Sequence, residues 1–261
     1  MRGAVGVTLA SIICATAVAM SAATVASAAH ATASAKSSPQ GDTWASIATL
    51  PDWSGVWDFD YRSGGGLARP APPHLTPAAQ KKFDAYREAQ KHGEEQQTST
   101  ANCVPPGMPQ IMQQPYPVEF LFTPGKVTVA IEAYSQMRRI FTDGRKLPED
   151  PDPSFQGYSV GHWEGDTLVV ETVGLLDNSS LAPGVGHSDQ ARILERIRRI
   201  SPETLEIQQT ITDPKTITEP WVSVHRYQRH KEWDIKEYIC DQNNRDSADE
   251  KGRAGLDIEK R

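Results

Sequence analysis

Five side chains that can exchange protons lie in or beside predicted strands of this sequence. They are two histidines, two glutamates and a tyrosine: His187, His162, Glu132, Glu195 and Tyr134. An imidazole titrates near neutral pH, and burial or a neighbouring charge shifts a carboxyl group towards that range. Gathered in the lumen of a β-barrel, these groups would support cofactor-free acid–base catalysis, such as elimination, isomerisation or hydration. The sequence therefore predicts a lyase or isomerase acting on a small organic or sugar-derived substrate.

His187 is the best placed of these groups. It lies in Gly186-His187-Ser188-Asp189, just before a predicted strand, where a loop can aim the imidazole into a barrel mouth. Three roles are open for it: a general acid or base oriented by Asp189, a structural donor to loop carbonyls, or one ligand of a metal site with His162 and a carboxylate. The histidines share no fixed local spacing on one element, so we predict no metal.

Glu195 stands in an unusual setting. Strand alternation places it between Ile193 and Ile197 on one face, so its carboxylate either pairs with an arginine or has its pKa raised by desolvation. Arg138 and Arg139 are the candidate partners. We also expect Arg138 to hold an anionic group of the substrate. The other predicted substrate-binding residues are Tyr158, Glu171 and Tyr116.

The segment 158–172 is predicted to form a β-hairpin that turns at Glu164-Gly165, because Gly accepts the positive φ of such turns. His162 would then lie opposite Thr167, and Tyr158 opposite Glu171. One face of the hairpin would carry Tyr158, Val160, His162, Thr167, Val169 and Glu171. Trp163 would lie on the other, packing face. The mixed first face suits either a solvated wall or the polar floor of a cavity.

Several other classes of protein are disfavoured. Adjacent residues on an extended chain point to opposite faces, so His187, Ser188 and Asp189 cannot assemble a catalytic triad among themselves, and the sequence has no G-x-S-x-G elbow. It has neither a phosphate-binding loop nor a dinucleotide fingerprint, and we predict no cofactor. With 27 basic and 33 acidic residues the net charge is −6, which predicts no nucleic-acid partner.

Alternating short segments separated by turns predict an all-β fold, either an antiparallel β-barrel or a β-sandwich. The predicted strands are 118–122, 127–134, 137–142, 159–163, 168–173, 193–200, 205–212, 222–228 and 237–240, after a first strand within 50–59. Thr76 and Pro77 begin one predicted N-terminal helix, which runs through Lys91. The Pro-rich segment Asn102–Pro117 is too apolar for a free linker, so we expect an ordered loop.

The N-terminus predicts export. An apolar run from Ala4 to Ala23 precedes Ala26-Ser27-Ala28, which fits a signal peptide over residues 1–28. We predict a disordered leader over 29–42, a barrel domain over 43–246, a disordered tail over 247–261, and no stable membrane insertion after cleavage. The mature chain would be periplasmic or secreted. Its two remaining cysteines, Cys103 and Cys240, are then expected to form a disulfide.

Four strings resemble a large, little-characterised group of exported bacterial proteins. They are CVPPGMPQIMQQPYPVEFLFTPGKVTVAIEAYSQMRRIFTDGR, GHWEGDTLVVETVG, HSDQARILERIRRI and ITDPKTITEPW, within residues 103–244. The resemblance implies a lipocalin-like barrel and an exported location, and it implies no catalytic residue. A second function is therefore kept beside the enzyme: a binding protein that carries an amphipathic small molecule. Several His, Glu and Tyr groups close together would favour catalysis, whereas an aliphatic lining would favour carriage.

Overall fold

The computed structural model describes residues 40–60, 71–92, 103–177 and 179–240, and the backbone of 246–248 and 254–256. Nine strands form a closed barrel, which confirms the all-β prediction. They are β1 (Val56–Phe59), β2 (Val118–Thr123), β3 (Lys126–Ile131), β4 (Gln136–Phe141), β5 (Tyr158–Glu164), β6 (Thr167–Val173), β7 (Arg192–Ser201), β8 (Thr204–Thr212) and β9 (Trp221–His230).

Each strand pairs with its neighbours in the sequence, and β1 closes the barrel against β9. Eight of the nine ladders are antiparallel, and β4–β5 is parallel. Two ladders are short, since β1–β2 and β4–β5 each contain two residue pairs. The β2–β3, β5–β6 and β7–β8 turns mark one end of the barrel, here the lower end. The β3–β4, β6–β7 and β8–β9 connections mark the upper end.

Strand alternation decides which side chains enter the lumen. In β3, the side chains of Val127, Val129 and Ile131 are buried, as the sequence predicted for this face. Near the lower end, the Trp53 ring makes edge contacts with Phe120 at 5.2 Å between centroids. Such aromatic pairs add to the free energy gained by burying the rings.

The Pro-rich segment is an ordered part of the core. It contains a short 3₁₀ helix, Gln110–Gln113, and the side chains of Met108, Ile111 and Met112 are buried among the strand residues. The hydroxyl of Tyr227, on the inner face of β9, donates a hydrogen bond to the Met112 carbonyl. The segment therefore fills part of the lumen, and the predicted ordered loop is confirmed.

The β5–β6 hairpin confirms the predicted faces and corrects the register. His162 lies opposite Val169, and Glu164 lies opposite Thr167, so Gly165 and Asp166 form the turn. The predicted turn at Glu164-Gly165 was therefore one residue early, which shifted each pairing by two residues. Such a shift leaves every side chain on the same face.

The predicted N-terminal helix is α2 (Pro77–Lys91), and it follows a shorter helix, α1 (Trp44–Ile47). The Thr76 side chain accepts a hydrogen bond from the Ala79 amide at 3.3 Å and so caps α2. The N-terminus of α2 is joined to the upper end, because Thr76 N donates to the carbonyl of Thr216 at 2.9 Å. The α2 helix has no buried residue, so it lies on the outside of the body.

At three places the elements of the structure differ from those predicted from the sequence. The strand predicted over 127–134 ends at Ile131, because residues 133–135 form a 3₁₀ turn in which Tyr134 has a φ of 57°. The strand predicted at 237–240 does not form. Two short strands, β10 (Asp246–Ala248) and β11 (Ala254–Leu256), pair where the sequence predicted a disordered tail.

The predicted disulfide is confirmed. Cys103 and Cys240 are bonded, with their Cα atoms 5.6 Å apart and a separation of 137 positions in the chain. The bond joins the Pro-rich segment to the stretch after β9, as expected. The predicted signal peptide lies outside the described residues. Within the described part of the chain, no helix has the length and apolar character needed to span a bilayer.

Candidate functional site

The structure distributes the predicted site residues over four places. Glu195 and Arg138 lie inside the barrel, and His187 lies beside a cleft at the upper end. The outer wall carries His162, Tyr158 and Glu171. Glu132, Tyr134 and Tyr116 lie at the upper end near the stretch that follows β9. The expected gathering of all five catalytic candidates in the lumen is therefore wrong.

A buried ion pair crosses the lumen. Arg138 of β4 and Glu195 of β7 have no exposed side-chain surface, and both terminal nitrogens of the guanidinium donate to the carboxylate, one of them over 3.1 Å. This confirms the prediction that Glu195 pairs with an arginine, and it identifies Arg138 rather than Arg139 as the partner. Because the charge of Arg138 is compensated by Glu195, Arg138 is not free to hold an anionic substrate group.

Polar side chains of neighbouring strands extend this pair into a network. Ser159 and Thr172 lie directly opposite each other, and both accept hydrogen bonds from Arg138, at 3.3 and 3.0 Å. Gln209 donates to Glu195 at 3.1 Å. The Gln209 carbonyl oxygen in turn accepts from Gln113, in the segment that fills the lumen, at 3.4 Å. The polar side chains inside the upper part of the barrel therefore form hydrogen bonds with one another.

His225 also faces the lumen, although it is not among the site residues predicted from the sequence. Its side chain is buried on β9, and its Nε2 lies 3.0 Å from the Ser223 hydroxyl. Burial lowers the pKa of His225 to about 4, although the charge of Glu195 acts to raise it. Alternation along β9 could have found this residue, because His225 is in phase with Ser223 and the buried Tyr227.

The mixed face of the β5–β6 hairpin is a solvated wall. The His162 side chain is 65% exposed and its Nε2 lies 3.2 Å from Glu164. Glu171 accepts from Arg192 at 2.7 Å, and the Tyr158 hydroxyl lies 3.3 Å from a guanidinium nitrogen of Arg145. These three predicted site residues point away from the lumen, because residues of this parity face outwards throughout the hairpin.

Three tyrosines meet at the upper end. The Tyr238 ring lies 5.3 Å from that of Tyr116 and 5.2 Å from that of Tyr134, between centroids. Burial, assisted by the two neighbouring phenols, raises the pKa of Tyr238 to about 12. Glu132 accepts a hydrogen bond from the Lys236 amide at 2.9 Å. Glu132 and Tyr134, predicted as catalytic, and Tyr116, predicted as substrate-binding, therefore hold residues 236–238 against the barrel.

Both ring nitrogens of His187 face backbone carbonyls. Nδ1 lies 2.9 Å from the Ser188 oxygen, and Nε2 lies 2.9 Å from the oxygen of Leu176. The Ser179 hydroxyl is also 2.9 Å from Nε2, which has the geometry of a nucleophile and its base. Ser179 is buried, however, and it donates to Leu176, so this pair is closed to a substrate. The contacts match the structural role that the sequence left open.

A cleft of about 240 Å³ opens beside His187. The first turns of α2 form one wall, the loop 184–188 forms the second, and residues 215–216 form the third. Its lining residues are Ala78, Ala79, Lys82, Gly184, Val185, Gly186, His187, Ser188, Lys215 and Thr216. Methyl groups and cationic or hydrogen-bonding groups therefore share one small space.

The buried Asp213 joins two walls of this cleft. Its carboxylate accepts from the amide and the hydroxyl of Ser188, at 2.7 and 2.6 Å, and from the Lys215 amide at 3.2 Å. Burial acts to raise the pKa of Asp213, but the hydrogen bonds from Ser188, Thr216 and Lys215 hold it below its ordinary value. An ionised Asp213 thus fixes the loop 184–188 against residues 215–216.

The two-histidine metal site finds no support. His162 lies on the outer wall near the lower turn, whereas His187 lies at the upper end. Over the described ranges, no three His, Cys, Asp or Glu side chains are grouped as metal ligands.

Comparisons with known proteins identify no family. No family model matches the sequence, and no curated protein matches it. Among solved structures, the chain is similar to a variant of the fluorescent protein UnaG, with 18% sequence identity and a TM-score of 0.32. The match covers 69% of this chain and 97% of that protein. The barrel assignment therefore depends on the strand order of this chain itself.

Proposed function

We propose that this chain is an exported β-barrel protein that binds a small amphipathic molecule in the cleft between α2 and the loop 184–188. The observation that carries the proposal is the cleft itself, in which apolar and hydrogen-bonding groups line one space. The lumen offers a weaker alternative, because Met108, Ile111 and Met112 are buried in it and its charges are already paired.

The size of the cleft supports a small ligand. Pockets for drug-sized molecules measure roughly 300–1,000 Å³, and this cleft measures about 240 Å³. Ala78, Ala79 and Val185 provide apolar surface, while Lys82 and Lys215 provide donors. A molecule with a short hydrocarbon or aromatic part and one polar group matches this lining.

Catalysis at the same cleft is the second candidate, favoured by the presence of His187 in the lining. A lyase or isomerase mechanism would need one ring nitrogen to exchange a proton with the substrate. Both nitrogens already face carbonyl oxygens at 2.9 Å, so that exchange would need the loop to rearrange. Binding without chemistry requires no such movement, and we therefore favour it.

Export remains part of the proposal. The disulfide between Cys103 and Cys240 fits an oxidising compartment, and the Ala26-Ser27-Ala28 cleavage pattern fits a signal peptide. N-terminal sequencing of the protein purified from a periplasmic or culture fraction tests this part. A mature chain that begins at Ala29 is expected.

Filling the cleft tests the binding site. Gly186 lines the cleft, and a Cβ built on it meets no atom within 4 Å, so Gly186→Leu adds a side chain where there is space. Native mass spectrometry of the mature protein is expected to show a retained small molecule that Gly186→Leu lacks, at an unchanged thermal midpoint. Equal retention by Gly186→Leu would place the ligand elsewhere.

His187→Ala separates the two candidate functions. Loss of a structural hydrogen bond is expected to cost about 1 kcal/mol of stability, whereas loss of an essential general base lowers a reaction rate by about 10²–10⁴. The thermal midpoint and conversion of the retained molecule are measured together. We expect a lower midpoint and no conversion by either protein. Conversion by the parent alone would favour the enzyme.

A further inference from the structure

We infer that the ligand of this cleft is a small molecule with a single negative charge, bound through Lys82. The inference rests on the proposed binding site and adds the charge of its occupant. Its basis is the set of charged side chains that line the cleft and the contacts that each of them already makes.

Two lysines line the cleft, and their situations differ. The Lys215 ammonium donates to Asp189 at 2.6 Å, so its charge is compensated by a carboxylate. Lys82 makes no ion pair with any residue that the structure describes. Lys82 is therefore the cation that is left for a ligand.

Neither of the two nearby carboxylates lines the cleft. Asp213 is buried behind the lining, and the groups that donate to it belong to the cleft walls, namely Ser188 and Lys215. Asp189 is engaged by Lys215. The first turn of α2, which forms one wall, contains no acidic residue to offset the positive end of the helix dipole. Among the charged side chains that line the cleft, Lys82 is thus the one without an ion-pair partner in the described part of the chain.

The apolar residues of the lining indicate the chemistry of the uncharged part of the ligand. Ala78 and Ala79 lie on the α2 wall one turn before Lys82, and Val185 lies on the loop wall. A short apolar body lying against these methyl groups would place its acidic group beside Lys82. A small monocarboxylate with an aromatic or short aliphatic body has this chemistry.

Three probes of one shape and different charge test the inference. Benzoate, benzamide and benzamidine carry charges of −1, 0 and +1 and fit a cleft of about 240 Å³. Titration calorimetry of the mature protein is expected to rank benzoate first by about fivefold, the effect of one partly exposed charge pair. Added salt is expected to weaken benzoate binding and to leave benzamide binding unchanged.

Two lysine substitutions provide the variant and its control. Lys82→Gln is expected to lower benzoate affinity about fivefold and to leave benzamide affinity within about twofold. Lys81→Gln removes the same charge from the neighbouring α2 position, which does not line the cleft, and is expected to leave both affinities unchanged. Equal losses of benzoate affinity in the two variants would show that only the net charge of the protein matters, and they would overturn the inference.

Asp189→Asn tests the role of charge by removing the carboxylate that pairs with Lys215. It frees Lys215 from its carboxylate, so the affinity for the dianion phthalate is expected to rise more than that for benzoate. If all three neutral and charged probes bind equally and Gly186→Leu blocks them, the cleft is a binding site without the proposed charge preference. If no probe binds, or if Gly186→Leu changes nothing, the binding site itself is refuted together with the inference.

Discussion

At the scale of single residues, the lumen contains a charge pair that water does not reach. Moving Arg138 and Glu195 out of water is costly, and their attraction offsets that cost only because further hydrogen bonds surround them. Ser159, Thr172 and Gln209 provide those bonds. The stability of the pair therefore depends on these hydrogen bonds as well as on its two charges, and Nε of Arg138 is the one guanidinium nitrogen that has no partner among the described residues.

Removing one partner is expected to be far more harmful than removing both. Arg138→Met leaves a carboxylate without its cation inside the barrel and should lower the free energy of unfolding by about 3–5 kcal/mol. The double variant Arg138→Met, Glu195→Leu replaces the pair by apolar groups and should recover most of that loss. Urea unfolding of both single variants and the double variant measures the coupling. Additive losses would show that the pair contributes no specific interaction.

The buried His225 predicts a pH dependence of stability. Its pKa in the folded protein is lowered to about 4, below the value of 6.5 for an unperturbed imidazole. Between these values the unfolded chain binds the proton and the folded chain does not, so stability falls as pH decreases below about 6.5. The loss should reach about 2 kcal/mol at pH 5.

His225→Gln isolates this effect. The stability difference between the parent and the variant should shrink by about 2 kcal/mol between pH 7.5 and pH 5, because only the parent carries the imidazole. Chemical unfolding at the two pH values measures it. A difference that stays constant would mean that His225 has the same pKa in the folded barrel as in the unfolded chain.

The sequence predicts the surroundings of residues for which the position in a strand decides whether the side chain is buried. Glu195 lies between Ile193 and Ile197, and this pattern predicted either an arginine partner or a raised pKa, of which the structure shows the arginine partner. The cleft could not be predicted in this way. Its walls come from α2, from the loop 184–188 and from residues 215–216, and only the folded barrel brings them together.

At the scale of elements, alanine substitutions at two glycines with similar backbone angles are expected to lower the stability by different amounts. Gly157 and Gly165 have φ values of 64° and 59°. A Cβ on Gly157 would lie 2.7 Å from the Thr172 side chain and from the Val173 carbonyl, whereas one on Gly165 would meet nothing within 4 Å. Gly165→Ala should cost about 1–2 kcal/mol from backbone strain alone. Gly157→Ala should cost clearly more, and thermal unfolding of both variants provides the comparison.

The positions of the strands were predictable, and their ends were less so. Alternation located the nine barrel strands because buried and exposed residues repeat with period two. The end of β3 was missed because Glu132 and Tyr134 continue the alternating pattern, while the backbone at Tyr134 turns left-handed. The hairpin register was missed because either Glu164-Gly165 or Gly165-Asp166 places Gly in the turn.

At the scale of the whole molecule, the disulfide restricts a large part of the chain. It joins residues 137 positions apart, so its removal should lower the free energy of unfolding by about 4–5 kcal/mol through the larger entropy of the unfolded chain. The variant with Cys103→Ser and Cys240→Ser tests this by urea unfolding, and the parent in a thiol reductant provides the matched control. An unchanged unfolding midpoint in both would show that the barrel does not need the bond.

The wall of the barrel consists of two ribbons rather than one uniform sheet. The ladders between β1 and β2 and between β4 and β5 contain two residue pairs each, so the β2–β4 ribbon is joined to the remaining strands by short seams. Arg138 of β4 donates to Ser159 of β5 and to Thr172 of β6, so side chains connect the ribbons where the backbone ladder is short. Amide hydrogens along these seams should exchange with deuterated solvent sooner than those within either ribbon. Loss of Arg138 should speed that exchange at the β4–β5 seam first.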